Sequence, residues 1–578
     1  MIDRYLTEEQ TRAIAYRGGH LQIIACAGSG KTEVIARRLA SLLSSNEASP
    51  RNIVAFTFTE KAAAELKDRI HSRVSDVKPD ALGLAEMFVG TIHGFCLELL
   101  KSELPKYLKF EVLSEVQQTL FVDRHSRASG LTETTTLAGA PLKRYKDTGR
   151  YVSALNILRE SDTVESILAG SQIYSSMRKY SALIDSRGYL DYSSILEVAV
   201  TALESDTDLR ERIRGRIQHV IVDEYQDVNP IQERLVRALQ SLGAAVCVVG
   251  DDDQTIYQWR GGDVQNILTF AQRYAPVERV KLEANFRSSS AIVELARDFI
   301  AANQDRLPKA MIPGGTQSFE TGDLCALAFP APEVEAAWIA TTIGQLRGLE
   351  FVEGELRRGL SYSDVAILLR SVSANGEPIV RALEAAGVPF IIKGMNSLFE
   401  TPEACAAREL FFFLASDPSM NTDTLRNAWR TADIGISETS LDAALQSASQ
   451  YRLALHSSQQ NEERWALYNL QRQFLTFLED LGVLEEHIEP KRREVVFYNL
   501  GKFSQLISDF ETIHFHSRPL EKYRSFADWL RFGAEGSYAE GWQDNQYAQP
   551  DAVQIMTVQI VSPGVVYDGT WRGCDLSG

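Results

Sequence analysis

The 578-residue sequence predicts an α/β protein built on parallel sheets flanked by helices. Three observations predict it. Short apolar, β-rich runs alternate with helical patterns, the order a parallel sheet requires because each strand must return to the same edge through a crossover. The first of these runs opens into a glycine-bearing loop and then a helix. Two long, mostly helical stretches interrupt the alternation and it resumes after each, which divides the chain into two α/β domains, each carrying an insertion.

The first run, Leu21 to Ala25, leads into ACAGSGKT, Ala25 to Thr32, and then into the amphipathic run Val34 to Leu43. Strand, loop and helix in that order make a phosphate cradle. Gly28 and Gly30 let backbone N–H groups close on phosphate oxygens, Lys31 reaches the β and γ oxygens, and Thr32 offers a hydroxyl to Mg²⁺ at a helix N-terminus. Ala25 stands at the first glycine position of the usual pattern, and a glycine turn without nucleotide shares this local spelling, so context has to support the motif. Three more β-rich runs, Ile53 to Phe58, His219 to Val222 and Ala245 to Val249, each precede a loop and a helical pattern. The mostly helical stretch from roughly Leu97 to Arg187 reads as an insertion. A second series follows: Leu324 to Phe329, Asp364 to Leu369, a helix Pro378 to Ala386 stopped by Gly387, and the strand Pro389 to Ile392. From about Ala404 to Asn545 the pattern is helical again, before Val553 to Val558 returns to strand character.

Length suggests about three or four units of ordinary domain size. With 44% hydrophobic and 24% charged residues the composition is that of a soluble globular protein, and no uninterrupted apolar segment is long enough to span a bilayer. The N-terminus MIDRYLTEEQTRA lacks an apolar signal core, and six cysteines are scattered without a C-x-x-C pair. These features point to a reducing cytoplasm and to no zinc or iron–sulfur site. A net charge of −17 argues against a surface coated in basic patches, yet a local groove with a few cations and stacked aromatics suffices for nucleic acid.

Two further runs carry chemistry. In HVIVDEYQD, His219 to Asp227, Asp223 and Glu224 fall at the C-terminal end of a buried strand, where an α/β sheet presents its ligands. Asp223 would hold the Mg²⁺ that bridges phosphates, and Glu224 would orient and deprotonate the attacking water. The alternative is a solvated acidic turn. In VVGDDDQTIYQWRGG, Val248 to Gly262, Gln254 would sense a γ-phosphate while Tyr257 and Trp259 face outward as stacking platforms. The bland reading packs those rings against the insertion.

With these residues stated, the chain resembles the UvrD/Rep-like DNA helicases of superfamily 1, which move 3′ to 5′ on single-stranded DNA. The resemblance covers nearly the whole chain. Besides the runs above it rests on LTEEQ, on TFTEKAAAEL (Thr57 to Leu66), on TIHGF (Thr91 to Phe95), on LDYSSIL (Leu190 to Leu196) and on LEANFRSS (Leu282 to Ser289). It implies that Gln10 reads adenine, that Phe286 stacks on it, that Arg287 contacts the γ-phosphate and that Arg38 lies near the nucleotide. Ala25, Cys26, Ala27, Gly28, Ser29, Gly30, Lys31 and Thr32 would then line the phosphates. Arg287 has a rationale of its own, since a guanidinium keeps its charge and offers a planar fork to phosphate, although a surface salt bridge uses the same residue. Thr57, Phe58, Thr59, Lys61, His93 and Phe95 would line the strand path, and Arg260 would couple the two ligand sites. Ala62 to Ile70 also reads simply as an amphipathic helix.

The fold implied is two RecA-like P-loop motor domains, each with a mainly helical insertion. The first motor domain is expected at 1–96 and 188–288, with its insertion at 97–187. The second is expected at 289–403 and 549–568, with its insertion at 404–548, followed by a non-family tail at 569–578. ATP would close the cleft between the motors and hydrolysis would reopen it, ratcheting the strand.

The pattern breaks at the end. DAVQIMTV, Asp551 to Val558, matches the start of the next family motif, but the histidine and K-G-L-E that should follow do not. The expectation is a chain truncated or frame-shifted near Val558, with an incomplete second motor domain and one phosphate-contacting arginine fewer. Three functions are therefore weighed: an ATP-dependent 3′ to 5′ helicase or translocase of DNA repair or recombination acting on single-stranded and 3′-tailed duplex DNA, an ATP- and DNA-binding protein without motor activity, and an ATPase working on RNA.

Overall fold

The computed structural model describes residues 6–79, 82–136, 138–161, 168–256, 258, 261–315, 319–353, 356–392, 398–457, 467–490, 492–534 and 551–557. The chain divides into two compact units. The first runs to Glu115 and resumes over Ser126–Leu142 and Arg150–Ala326; the second takes Val116–His125, Lys143–Gly149 and the chain from Leu327.

The first unit is organised by a six-stranded sheet: β1 (His20–Ala25), β2 (Ile53–Thr57), β3 (Phe88–Thr91), β4 (His219–Val222), β5 (Ala245–Gly250) and β6 (Val277–Leu282). Its spatial order is β3-β2-β4-β5-β1-β6 and every pairing is parallel. The central strands are apolar on both faces, and their alternation sorts two cores. Val54, Phe56, Val220, Val222, Val246 and Val248 face one cluster, shared with Leu196, Val200, Leu235 and Leu239 of covering helices. Leu21, Ile23, Ala55, Ile221, Cys247 and Val249 face the other, under the helices α1 (Glu8–Ala15), α2 (Lys31–Ser44) and α3 (Glu60–Val77). A strand buried on both sides reads as a continuous apolar run, which is why β1, β2, β4 and β5 are visible in the sequence. The edges β3 and β6 are not. β6 spells VERVKL, with Arg279 and Lys281 standing outward, and such charge is how an open edge discourages further pairing.

In the second unit, β7 (Ala366–Leu369), β8 (Phe390–Ile392) and β9 (Val553–Thr557) form a parallel sheet in the order β7-β9-β8. It packs with helices Pro332–Leu346 and Glu377–Ala385 around Ala336, Ile343, Ile379 and Leu383. Gly387 follows the second helix at φ 64, the left-handed conformation that ends it as expected. Six helices, from Pro402–Leu414 to Pro519–Phe532, make up the described part of the second predicted insertion. Their core is aromatic, with Phe411, Phe474, Phe503 and Phe526 in ring contact. The expected strand Leu324 to Phe329 is corrected: these residues adopt no strand, and Leu324 and Leu327 are exposed, so an apolar run without a neighbouring strand to pair does not become one. Glu350–Glu353 and Leu356–Gly359 form an antiparallel pair that no run of the sequence reading marks. Among the described residues no helix is long and apolar enough to cross a membrane.

Candidate nucleotide and nucleic-acid site

The loops after β1, β4 and β5, three neighbouring strands, meet at the C-terminal edge of the first sheet. After β1 the chain turns through Gly28 (φ 68) and Gly30 (φ 81) into α2. Gly30 is the N-cap of α2 and provides no side-chain hydrogen bond, which leaves the first-turn N–H groups for an anion. Gly28 is required twice over. Besides its positive φ, a Cβ there would stand 2.7 Å from Asn285 Oδ1 and 2.8 Å from Arg287 Cβ. The backbone N–H of Phe286 donates to Gly28 O (2.9 Å), and Asn285 Oδ1 accepts from the N–H groups of Arg287 (2.8 Å) and Ser288 (2.9 Å). Asn285, to which the sequence reading assigned no role, therefore seats the Phe286-Arg287 loop on the phosphate cradle.

Gln10 reaches the same loop. Its Oε1 accepts from Thr7 N–H in a capping box at the start of α1, and its Nε2 donates to Ser29 O at 3.1 Å. Arg38 points elsewhere: its guanidinium donates to Ala13 O (2.8 Å) and Tyr16 O (2.7 Å) at the end of α1, so the structure does not bring it to the phosphate loop.

Lys31 Nζ lies 2.9 and 2.7 Å from the two carboxylate oxygens of Glu224. Glu224 occupies the left-handed region at φ 48, a conformation that non-glycine residues adopt at some energetic cost and that often marks function. Its backbone N–H donates to Asp223 Oδ1 at 3.0 Å. Burial, and then the adjacent Glu224 charge, push the Asp223 carboxyl well above the usual carboxylate range, against the opposing pull of Lys31. Gln226 Nε2 donates to Glu224 Oε2 (2.8 Å) while its Oε1 accepts from Asp251 N–H (3.0 Å). Gln254 Nε2 donates to Asp251 Oδ2 at 2.6 Å. Gly250 permits this approach, because a Cβ there would stand 2.5 Å from Gln226 Oε1. The acidic run Asp251 to Asp253 is neutralised by Lys309 and Arg306, which lie outside every run singled out in the sequence.

At the end of β2, Thr59 caps α3 by accepting from Ala62 N–H, Thr57 Oγ1 donates to Thr59 O (3.1 Å), and Lys61 and Phe58 are exposed, the latter at 38%. Thr91 Oγ1 donates to Glu60 Oε1 (2.8 Å) and ties β3 to the start of α3. His93 packs edge-on against the exposed Tyr192 (5.6 Å between centroids), and burial lowers its pKa to about 4. Phe95 is corrected: it is 7% exposed and meets Phe56 and Phe88 edge-to-face at 5.3 Å, so it is core and its ring has no face to offer a base. Tyr257, Trp259 and Arg260 lie outside the described residues.

Below this surface, the LDYSSIL run conceals a buried ion pair. Arg159 holds Asp191 through two bonds of 2.8 and 2.9 Å, and Tyr180 OH and Ser194 N–H also donate to Asp191. Although burial opposes ionisation, the Arg159 charge and these hydrogen bonds lower the Asp191 carboxyl to about 2.

A parallel sheet whose first strand opens through a glycine loop onto a helix N-terminus defines a P-loop α/β protein. The family model described as UvrD/REP helicase N-terminal domain matches residues 6–275, and that of the UvrD-like helicase C-terminal domain matches residues 280–559. The chain belongs to the UvrD/Rep-like superfamily 1 helicases, and its two α/β parts are RecA-like motor domains. It is 27% identical over 463 residues to the ATP-dependent DNA helicase PcrA of Staphylococcus aureus strain Mu50, an alignment covering 78% of this chain and 59% of the relative. It is 28% identical over 428 residues to PcrA of Staphylococcus epidermidis strain RP62A, covering 72% and 54%. The chain thus spans less than two thirds of the length of these relatives.

Proposed function

We propose that this chain is an ATP-dependent DNA helicase or single-stranded DNA translocase that moves 3′ to 5′ in DNA repair or recombination. The observation that carries the reading is the convergence of Lys31, Asp223, Glu224 and Gln254 on one sheet edge, with the Arg287 loop seated on the cradle. Lys31 would exchange Glu224 for the β and γ phosphates of ATP. That exchange frees the Glu224 carboxylate to accept a proton from the attacking water, and Gln254 and Arg287 would meet the γ-phosphate.

The donor set fits Mg²⁺. Thr32 lies in the first turn of α2 and Asp223 directly follows β4, both are hard oxygen donors, and the raised Asp223 carboxyl is one that a nearby cation would hold ionised. Among the described residues no group of three or more histidine, cysteine or acidic side chains could hold a metal, which suits an ion shared with substrate phosphates. Bound Mg²⁺ would supply charge neutralisation across those phosphates.

Phe58, Thr59, Lys61, His93 and Tyr192 offer the rings, hydroxyls and cation for a single strand. The match of the C-terminal family model favours motor function over nucleotide binding alone. Strand displacement on 3′- and 5′-tailed duplexes tests the reading, alongside ATPase assays with single-stranded DNA or RNA. Unwinding should need ATP and a 3′ tail, DNA should stimulate more than RNA, and Lys31→Ala or Glu224→Gln should abolish turnover. Unwinding from the 5′ tail alone, or turnover that survives Lys31→Ala, would overturn it.

A further inference from the structure

Lys309 lies beyond the Phe286-Arg287 loop, and its side chain is 1% exposed. Its ammonium meets Asp251 Oδ1 at 2.5 Å, Asp252 Oδ1, and Asp253 Oδ2 at 3.2 Å. Three successive carboxylates with so little solvent repel one another strongly unless cations are held among them. Arg306 takes Asp253 through Nε (2.9 Å) and NH2 (2.5 Å), and Leu307 N–H donates to Asp252 Oδ2 at 2.7 Å. Among the described residues Lys309 alone spans all three. Its bond to one oxygen of Asp251 leaves the other facing Gln254, while the Asp251 N–H reaches Gln226 and, through it, Glu224 and Lys31. Linked hydrogen bonds in a low-dielectric setting polarise and orient one another.

From this geometry we infer that Lys309 is a positioning residue for nucleotide sensing: acting through Asp251, it fixes the Gln254 amide that meets the γ-phosphate and braces the Gln226 to Glu224 link. The inference rests on the roles given above to Gln254 and Glu224. A cation that merely neutralised acidic residues would support folding and leave discrimination between nucleotides unchanged.

Affinities for MgADP and for the Mg²⁺ complex of the non-hydrolysable analogue AMP-PNP, measured on the full chain by competition with a fluorescent nucleotide, separate the two. The preference for the triphosphate analogue should fall about tenfold in Gln254→Ala, the worth of one hydrogen bond to a charged group. It should fall equally in Lys309→Met and no further in the double variant, with MgADP affinity preserved and Lys309→Arg restoring the preference. If Lys309→Met does not fold, Asp251→Asn replaces it and should lower the preference likewise. A wild-type preference in Lys309→Met or Asp251→Asn, while Gln254→Ala has lost it, overturns the role of Lys309. So does an additive double variant. An unchanged preference in Gln254→Ala overturns the assignment of Gln254 itself, and the positioning role with it.

Discussion

Replacing Asp191 by asparagine keeps the shape and the helix-capping oxygen of this side chain but removes its charge. The Arg159 guanidinium, 0% exposed, then has no carboxylate in its bidentate grip. The lowering of the Asp191 carboxyl from 3.8 to about 2 is worth about 2 kcal/mol in favour of the ionised form. Arg159 then keeps only Glu197 Oε2, at 3.2 Å from its Nε, and breaking one side of a buried ion pair costs about 3–5 kcal/mol. The helix capped by Asp191, Tyr192–Ser205, packs Leu196, Val200 and Leu203 into the core of the first unit, so the loss should appear in its local opening. Native-state hydrogen exchange on the full chain reads this directly and needs no two-state melt. Protection of the central amides of that helix should fall by roughly two to three orders of magnitude in Asp191→Asn. In the wild type the contribution has a definite pH window: a depressed carboxyl pKa stabilises fully above its ordinary value and is lost as pH falls from there toward about 2. A loss of protection below about tenfold, equivalent to about 1.4 kcal/mol, would refute the claim that this pair anchors the helix.

Phe95→Ala and Phe58→Ala should part company. The first opens a core cavity and costs about 3–5 kcal/mol of stability by denaturation, whereas the second leaves folding intact and weakens single-stranded DNA binding by about 1–3 kcal/mol in a titration. Gly435 sits at φ 71 with a would-be Cβ 1.9 Å from His487 O, and Gly435→Ala should destabilise the second unit by more than about 2 kcal/mol, seen as a lowered melting temperature. His93, with a pKa lowered to about 4 by burial, is neutral at pH 7. Its contribution to stability is complete above pH about 6.5 and declines as pH falls from there toward 4, so a His93→Gln variant should flatten that part of the pH–stability curve.

The nucleotide edge was legible because its chemistry is local. Gly28, Gly30 and Lys31 act within one turn, and the central strands β1, β4 and β5 announce themselves as unbroken apolar runs. Asn285, Lys309 and the Arg159–Asp191 pair were illegible for the converse reason, since each acquires meaning from a partner that is close only after folding. Phe58 and Phe95 show the same limit on one strand path. Both are aromatics in matching runs, yet one follows a strand at the surface and the other turns inward from the first turn of a helix toward Phe56. Arg38 likewise begins near the cradle in sequence and is drawn away by the carbonyls that end α1.

The placing of β9 between β7 and β8 bears on how the chain is made. Among the described residues neither β7 nor β8 pairs with the other, and each finds its only strand neighbour in Val553–Thr557. On a ribosome adding about 5–20 residues per second, the interval between the emergence of Ile392 and of Val553 is roughly ten to thirty seconds. Throughout it, two hydrogen-bonding edges stand open while the helices encoded between them can already assemble. The described strands of the second sheet are therefore joined late, by Val553–Thr557, and the waiting strands are where a chaperone or a neighbouring nascent chain would find this protein vulnerable.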